Sequence, residues 1–371
     1  MIKIATILSI VIMISSCDPR GYFKDKYFND NYKPTEREII GKKYPETYQV
    51  KDFRHISYSN AYCSSASLEM YNETINIENK SIHYYNWLMG FSYGAFFRGS
   101  IYSFIPYTDP EPGMDFASPF LGLNRNYYIC NDSIDYVKHL KELISNNHSV
   151  RVAVNAAIIR INDKKQFWPH SIILTGYDES NFVFYETGHI DKDTINSEGE
   201  LIDNNILVEA VYDMDKRFGC PWKYNFTTFE KTDKINDEKE VWERNGKLLI
   251  GRKIPMTPIW EGSAAINALS VRIKENGISD SEKKALKNWI ETAEYTRKDN
   301  STFILQNFNP KSLIESSEYL EKSSINYKKI NKILNQAKIH DNGINDIVNL
   351  LKASSGFEKK AGELMIEYSG K

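Results

Sequence analysis

Apolar residues follow three different patterns along the 371 residues. Residues 4–14 form a largely apolar run behind one positive charge, Lys3. From about residue 51 to 255, short β-prone runs alternate with polar turns and a few helical periods. Beyond Pro255 the spacing becomes that of amphipathic helices. Residues 18–48 are rich in Tyr, Lys, Asp and Asn, show no sustained period, and suit a tether.

The patterns predict specific elements. Ala66 with Met70, and Leu68 with Tyr71, give a helix beginning near Cys63. A second helix is expected over 133–145, capped by Asn131 or Asp132, with Ile134, Val137, Leu140, Leu143 and Ile144 on one face. Residues 150–161 read as a strand. The apolar runs 171–174 and 182–185, around the polar turn 178–181, read as a β-hairpin beside it. Runs at 206–211 and 247–250 also look β-like. In the last third, Ser279-Asp-Ser-Glu282 has the form of a capping box, followed by Leu286, Trp289, Ile290 and Ala293 on one face. Asn309-Pro310 opens another helix, and further apolar stripes contain Ile330, Ile333 and Leu334, then Ile344, Ile347, Val348 and Leu351, then Leu364 and Met365. The aromatic segments 83–87 and 93–107, interrupted by Gly90, Gly94 and Gly99, suit either a groove wall or a buried aromatic layer. The fold class is therefore α+β, with a mixed domain over 51–255 and a helical domain over 256–371.

Chemistry gathers at two places. The hairpin begins with His170 and ends, sixteen residues later, with Glu186; closing it brings a carboxylate to an imidazole. His189, just beyond, is assigned to a loop without a role. A histidine held by a carboxylate is two-thirds of a nucleophilic triad. The third member is Cys63, at the start of its helix, where the helix dipole favours thiolate over thiol. Each residue also has a bland reading: the histidine as a strand-end residue, the cysteine as a small core side chain.

The N-terminus changes the setting. The short apolar run ending in Ile14-Ser-Ser-Cys17 resembles a bacterial lipoprotein signal. That resemblance implies a signal peptide over 1–16, lipidation of Cys17, a tether over 17–50, and anchoring at the extracytoplasmic face of a bacterial cell membrane. Of the four cysteines, Cys17, Cys63, Cys130 and Cys220, three then remain, so at least one is unpaired within a monomer. No CxxC or His/Cys cluster has metal-ligand spacing, so no metal or cofactor is expected. With 47 basic and 49 acidic residues the formal charge is −2, which offers no footprint for nucleic acid.

Cys63 with Ala66-Ser-Leu68, the stretch Trp87-Leu-Met-Gly90-Phe-Ser-Tyr93, residues 150–155, and His170 through Glu186 together resemble the papain-like fold. Within it, 55–186 is most similar to bacteriocin-leader-type cysteine peptidase domains and to the N-terminal domain of the butirosin-biosynthesis acyltransferase family, which also carries a helical C-terminal domain. The resemblance implies a Cys63-His170-Glu186 triad acting on a peptide or acyl substrate, as hydrolase or acyltransferase. Two positions depart from the pattern. Ser57 stands near the place of the usual oxyanion glutamine, leaving Asn60 as the only nearby amide. Glu186-Thr187 stands where Asp or Asn followed by Pro is usual. These departures favour the alternative reading, a papain-like surface lipoprotein that binds without catalysing.

Overall fold

A computed structural model describes residues 35–39, 41, 43–56, 62–187 and 199–370. Cys17, Ser57, Asn60 and His189 lie outside them. In chain order the elements begin β1 (Thr35–Glu36), β2 (Tyr48–Gln49), α1 (Cys63–Asn76), α2 (Ile82–Met89), β3 (Phe96–Phe97), α3 (Pro110–Ala117), β4 (Leu123–Cys130), α4 (Ser133–Ser145) and β5 (Val150–Asn155). They continue with α5 (Ala156–Ile161), β6 (Pro169–Tyr177), β7 (Asn181–Glu186), β8 (Glu200–Asp203), α6 (Asn204–Phe218), β9 (Tyr224–Lys231) and α7 (Glu238–Ile250). Last come β10 (Trp260–Glu261), α8 (Gly262–Asn276), α9 (Asp280–Asn307), α10 (Lys311–Leu334) and α11 (Asp341–Ser369). The class is α+β.

The chain divides into two units. One holds the described residues up to Ile82 together with Met114–Ile235; the other holds His83–Gly113 and the residues from Asn236 onward. The change of unit thus comes at 235–236, and 83–113, which the apolar pattern leaves in the first domain, belongs with the helices.

The first unit is built on a sheet of order β1-β4-β9-β5-β6-β7-β8, with β2 added to the far end of β6. All pairings are antiparallel except β1 with β4. One core joins Val150, Val152, Val154, Ile172, Leu174, Phe182 and Phe184 to Leu140 and Ile144 of α4 and to Leu207, Ala210 and Val211 of α6. Strand β6 pairs on both sides and is buried from His170 to Tyr177, which explains its near-continuous apolar sequence.

Three sequence expectations are corrected here. The strand expected over 150–161 stops at Asn155, whose side chain accepts from Ala157 N and caps α5. The run 206–211 is helical: Asp203 accepts from Asn205 N and Ile206 N, and Leu207, Ala210 and Val211 are buried at helical spacing. The run 247–250 is the last turn of α7, capped by Asp237. In the first two cases a side-chain cap just upstream outweighs the β propensity of a short apolar run, and in the third the run continues a helix already started at Asp237. In α4, Asp132 is the cap, while Ile134 is 66% exposed and Tyr136 takes the buried place.

In the second unit, Leu286, Ile290 and Ala293, Tyr327, Ile330 and Leu334, and Ile347, Val348 and Leu351 meet in one core. Ser279 and Glu282 form the capping box. The aromatic segments are a core layer: Trp87 is 1% exposed, with ring centroids 5.4 Å from Trp242 and 5.5 Å from Phe308. The segment around Ser92 is tied in by Arg297, which donates from Nη1 to the Ser92 and Pro106 carbonyls at 2.9 and 3.1 Å and from Nη2 to Gly94 O at 2.9 Å.

Candidate active site

The hairpin register decides which face Glu186 shares. Next to the turn, Tyr177 pairs with Phe182 and Gly176 with Val183; after Thr175 the pairing becomes Leu174 with Phe184 and Ile172 with Glu186. Had the first register continued, Glu186 would lie opposite Ile173, on the face of Ser171. The single extra residue moves it onto the face of Ile172 and His170. Gly176 adjoins this irregularity, and a Cβ there would come within 2.9 Å of the Tyr48 carbonyl of β2.

As a result, His170 Nε2 and Glu186 Oε2 are directly hydrogen-bonded, with both side chains buried. The Cys63 thiol lies within hydrogen-bonding reach of the same imidazole. With Nε2 turned to Glu186, Nδ1 is the nitrogen left for sulfur. The structure therefore brings Cys63, His170 and Glu186 together.

Cys63 is the first residue of α1, and a directional hydrogen-bond chain fixes it against the histidine strand. Ser67 Oγ donates to the Cys63 carbonyl at 2.9 Å, so its remaining capacity is to accept from Ser171 Oγ, also at 2.9 Å. Ser171 Oγ in turn accepts from Arg151 Nε at 2.8 Å. Residues 64–73 of the helix are all buried, and the small Ser and Ala side chains at its start allow close approach to β6.

Electrostatics follow from this packing. Burial pushes the Cys63 thiol up, but the hydrogen bond and charge of His170, with smaller help from Ser64 and the Arg151 guanidinium, hold it below the ordinary cysteine value. Burial lowers the His170 pKa, but bonding to Cys63 and Glu186 prevails and raises it to about 10. For Glu186, burial acts upward while His170 and Arg160 hold the carboxyl below the usual range. All three directions favour thiolate, imidazolium and carboxylate. Cys130 behaves oppositely: burial pushes its thiol up.

Sequence reading missed several neighbours. Arg160 Nε donates to Glu186 Oε1 at 3.0 Å, and Nη2 bonds the same oxygen. Arg160 also binds Glu200. Its assignment to a strand hid the fact that α5 swings it beside β7; the available signal was Asn155 as a cap. His55 Nε2 donates to the Glu186 carbonyl at 3.1 Å, and Thr187 Oγ1 donates to the Ser171 carbonyl. The oxyanion candidate Asn60 falls outside the described residues.

Among the described residues there is no group of three His, Cys, Asp or Glu side chains able to hold a metal, and no helix long and apolar enough to cross a membrane. No family model matches the chain, and no curated protein matches it.

Proposed function

We propose that the protein is a cysteine-nucleophile enzyme of papain-like type, lipid-anchored through Cys17 at the extracytoplasmic face of a bacterial membrane. It works on a peptide, amide or other acyl substrate. The observation that carries this reading is His170 bonded to Glu186 on one side and within reach of Cys63 on the other.

In the reaction, Cys63 Sγ attacks the substrate carbonyl as thiolate. The imidazolium of His170 protonates the departing amine or thiolate, leaving a thioester on Cys63. Water or an amine then attacks the thioester while His170 accepts its proton, and the thiolate leaves. Hydrolysis and acyl transfer share the first half; an extracytoplasmic site, away from cytosolic carrier-protein donors, favours hydrolysis. Glu186 orients the ring and balances its charge throughout.

At neutral pH, iodoacetamide is expected to alkylate Cys63 faster than Cys130 or Cys220, as peptide mapping of the modified protein would show. Equal rates at all three would replace the enzyme with the binding module, which Ser57 at the glutamine position favours. The anchor has its own check: intact-mass analysis of membrane-extracted protein should show loss of sixteen residues and added acyl mass on Cys17. A soluble product with unmodified Cys17 would remove it.

A further inference from the structure

We propose that Arg160 is the positioning residue that lets a glutamate serve as the third member of this site, by clamping one carboxylate oxygen so that the other stays on His170. The inference rests on the Cys63-His170-Glu186 reading and deepens it.

A glutamate has one more rotatable bond than an aspartate or asparagine, so its carboxylate needs an external restraint to present one oxygen in one place. Arg160 supplies it. Nε and Nη2 both bond Glu186 Oε1, which leaves Oε2 for His170 Nε2. The far edge of the same guanidinium grips Glu200 through Nη1 and Nη2, at 2.6 and 3.0 Å. Its Cζ lies over the Phe184 ring, 5.5 Å from the centroid. A planar fork with five donors can hold two carboxylates and a ring face together; an ammonium cannot. Arg160 is itself placed by α5, whose cap Asn155 is anchored through Nδ2 to Asp213 at 2.8 Å.

The charges alternate from one partner to the next: thiolate, imidazolium, Glu186 carboxylate, guanidinium, Glu200 carboxylate. Among the described residues, the side chains bonded to Glu186 are His170 from β6, Arg160 from α5, and His55, which bonds its carbonyl. Without Arg160, the buried Glu186 either rotates away or takes up a proton. Both outcomes weaken the imidazolium and, through it, the thiolate.

The test measures the rate of Cys63 alkylation against pH in the full-length protein, with Cys130 as internal reference and circular dichroism reporting the fold. Arg160→Met should move the acid limb of the profile up by about one unit, so that at a pH on that limb the thiolate fraction falls roughly tenfold. Arg160→Lys keeps the charge without the fork and should move it about half a unit, roughly threefold. Glu200→Gln should stay within about twofold, because Arg160 keeps its bonds to Glu186. An unchanged limb in a folded Arg160→Met protein overturns the proposal; if that variant does not fold, an unchanged limb in Arg160→Lys does so instead. His170→Ala separates the two levels. If it slows Cys63 while the Arg160 variants do not, only the positioning role fails. If it leaves Cys63 unaffected, the triad reading fails, and this proposal with it.

Discussion

Replacing His170 with alanine is expected to slow Cys63 alkylation at pH 7 at least about threefold, and turnover of a cleavable substrate by about 10²–10⁴-fold. The thiol would then lose the partner that outweighs burial, and its pKa would return to or above the ordinary cysteine range, where only about 3% is thiolate at pH 7. A less perturbed thiolate is intrinsically more nucleophilic, so the loss in alkylation is smaller than the loss in thiolate. The pH dependence carries a sharper signature. As pH falls through the lowered Cys63 pKa, the thiolate is protonated and both reactions decline. As pH rises through about 10, His170 loses its proton. Turnover then declines because no acid remains for the leaving group, whereas alkylation, which needs only thiolate, does not. If the two profiles stay superimposed at the alkaline end, His170 is not the acid.

Glu186→Gln separates geometry from charge. A glutamine has one acceptor oxygen, but this carboxylate satisfies donors on both sides, His170 and Arg160. If the amide oxygen faces His170, its NH₂ group confronts the guanidinium; in the opposite orientation, it confronts the imidazole nitrogen. The loss should therefore exceed that expected from ring orientation alone, yet stay below that of His170→Ala.

How much of this was legible in the sequence depended on whether the relevant signal was local. The hairpin ends, the helix start at Cys63 and the helical stripes of the last third are periodic features, and each lies where its spacing places it. The bulge at Thr175 was not legible. A one-residue shift leaves the pattern of apolar runs almost unchanged, although it decides whether Glu186 shares a face with His170 or with Ser171. Arg160 was missed for a related reason: 156–161 is apolar enough to extend a strand, and only the cap at Asn155 marks the change to helix. The place of 83–113 among the helices depends on contacts of large sequence separation. Arg297 reaches back more than 190 residues to the carbonyls of Ser92, Gly94 and Pro106, which no local pattern signals.

That same arginine sets the largest stability effect expected in the second unit. Glu358→Ala should destabilise it by about 3–5 kcal/mol. Arg297 and Glu358 have fully buried side chains and form a two-point pair, Nε to Oε1 at 3.0 Å and Nη2 to Oε2 at 2.9 Å. Ser323 Oγ and Tyr327 OH also donate to Oε1, at 2.8 and 2.9 Å. Removing the carboxylate strands a buried guanidinium with only neutral acceptors and deprives two hydroxyls of theirs. The pair itself need not contribute much net stability, since desolvating two charges offsets most of their attraction. Arg297→Met combined with Glu358→Leu should therefore recover part of the loss. Recovery stays incomplete, because the carbonyls of Ser92, Gly94 and Pro106 then lack their donor. Four of the six tryptophans, Trp87, Trp242, Trp260 and Trp289, lie in this unit, so denaturant unfolding followed by tryptophan fluorescence, with Trp168 and Trp222 of the first unit replaced by phenylalanine, reads it. A loss below about 1 kcal/mol in Glu358→Ala, or a double variant less stable than the single, would contradict a pair whose cost lies in stranding one charge.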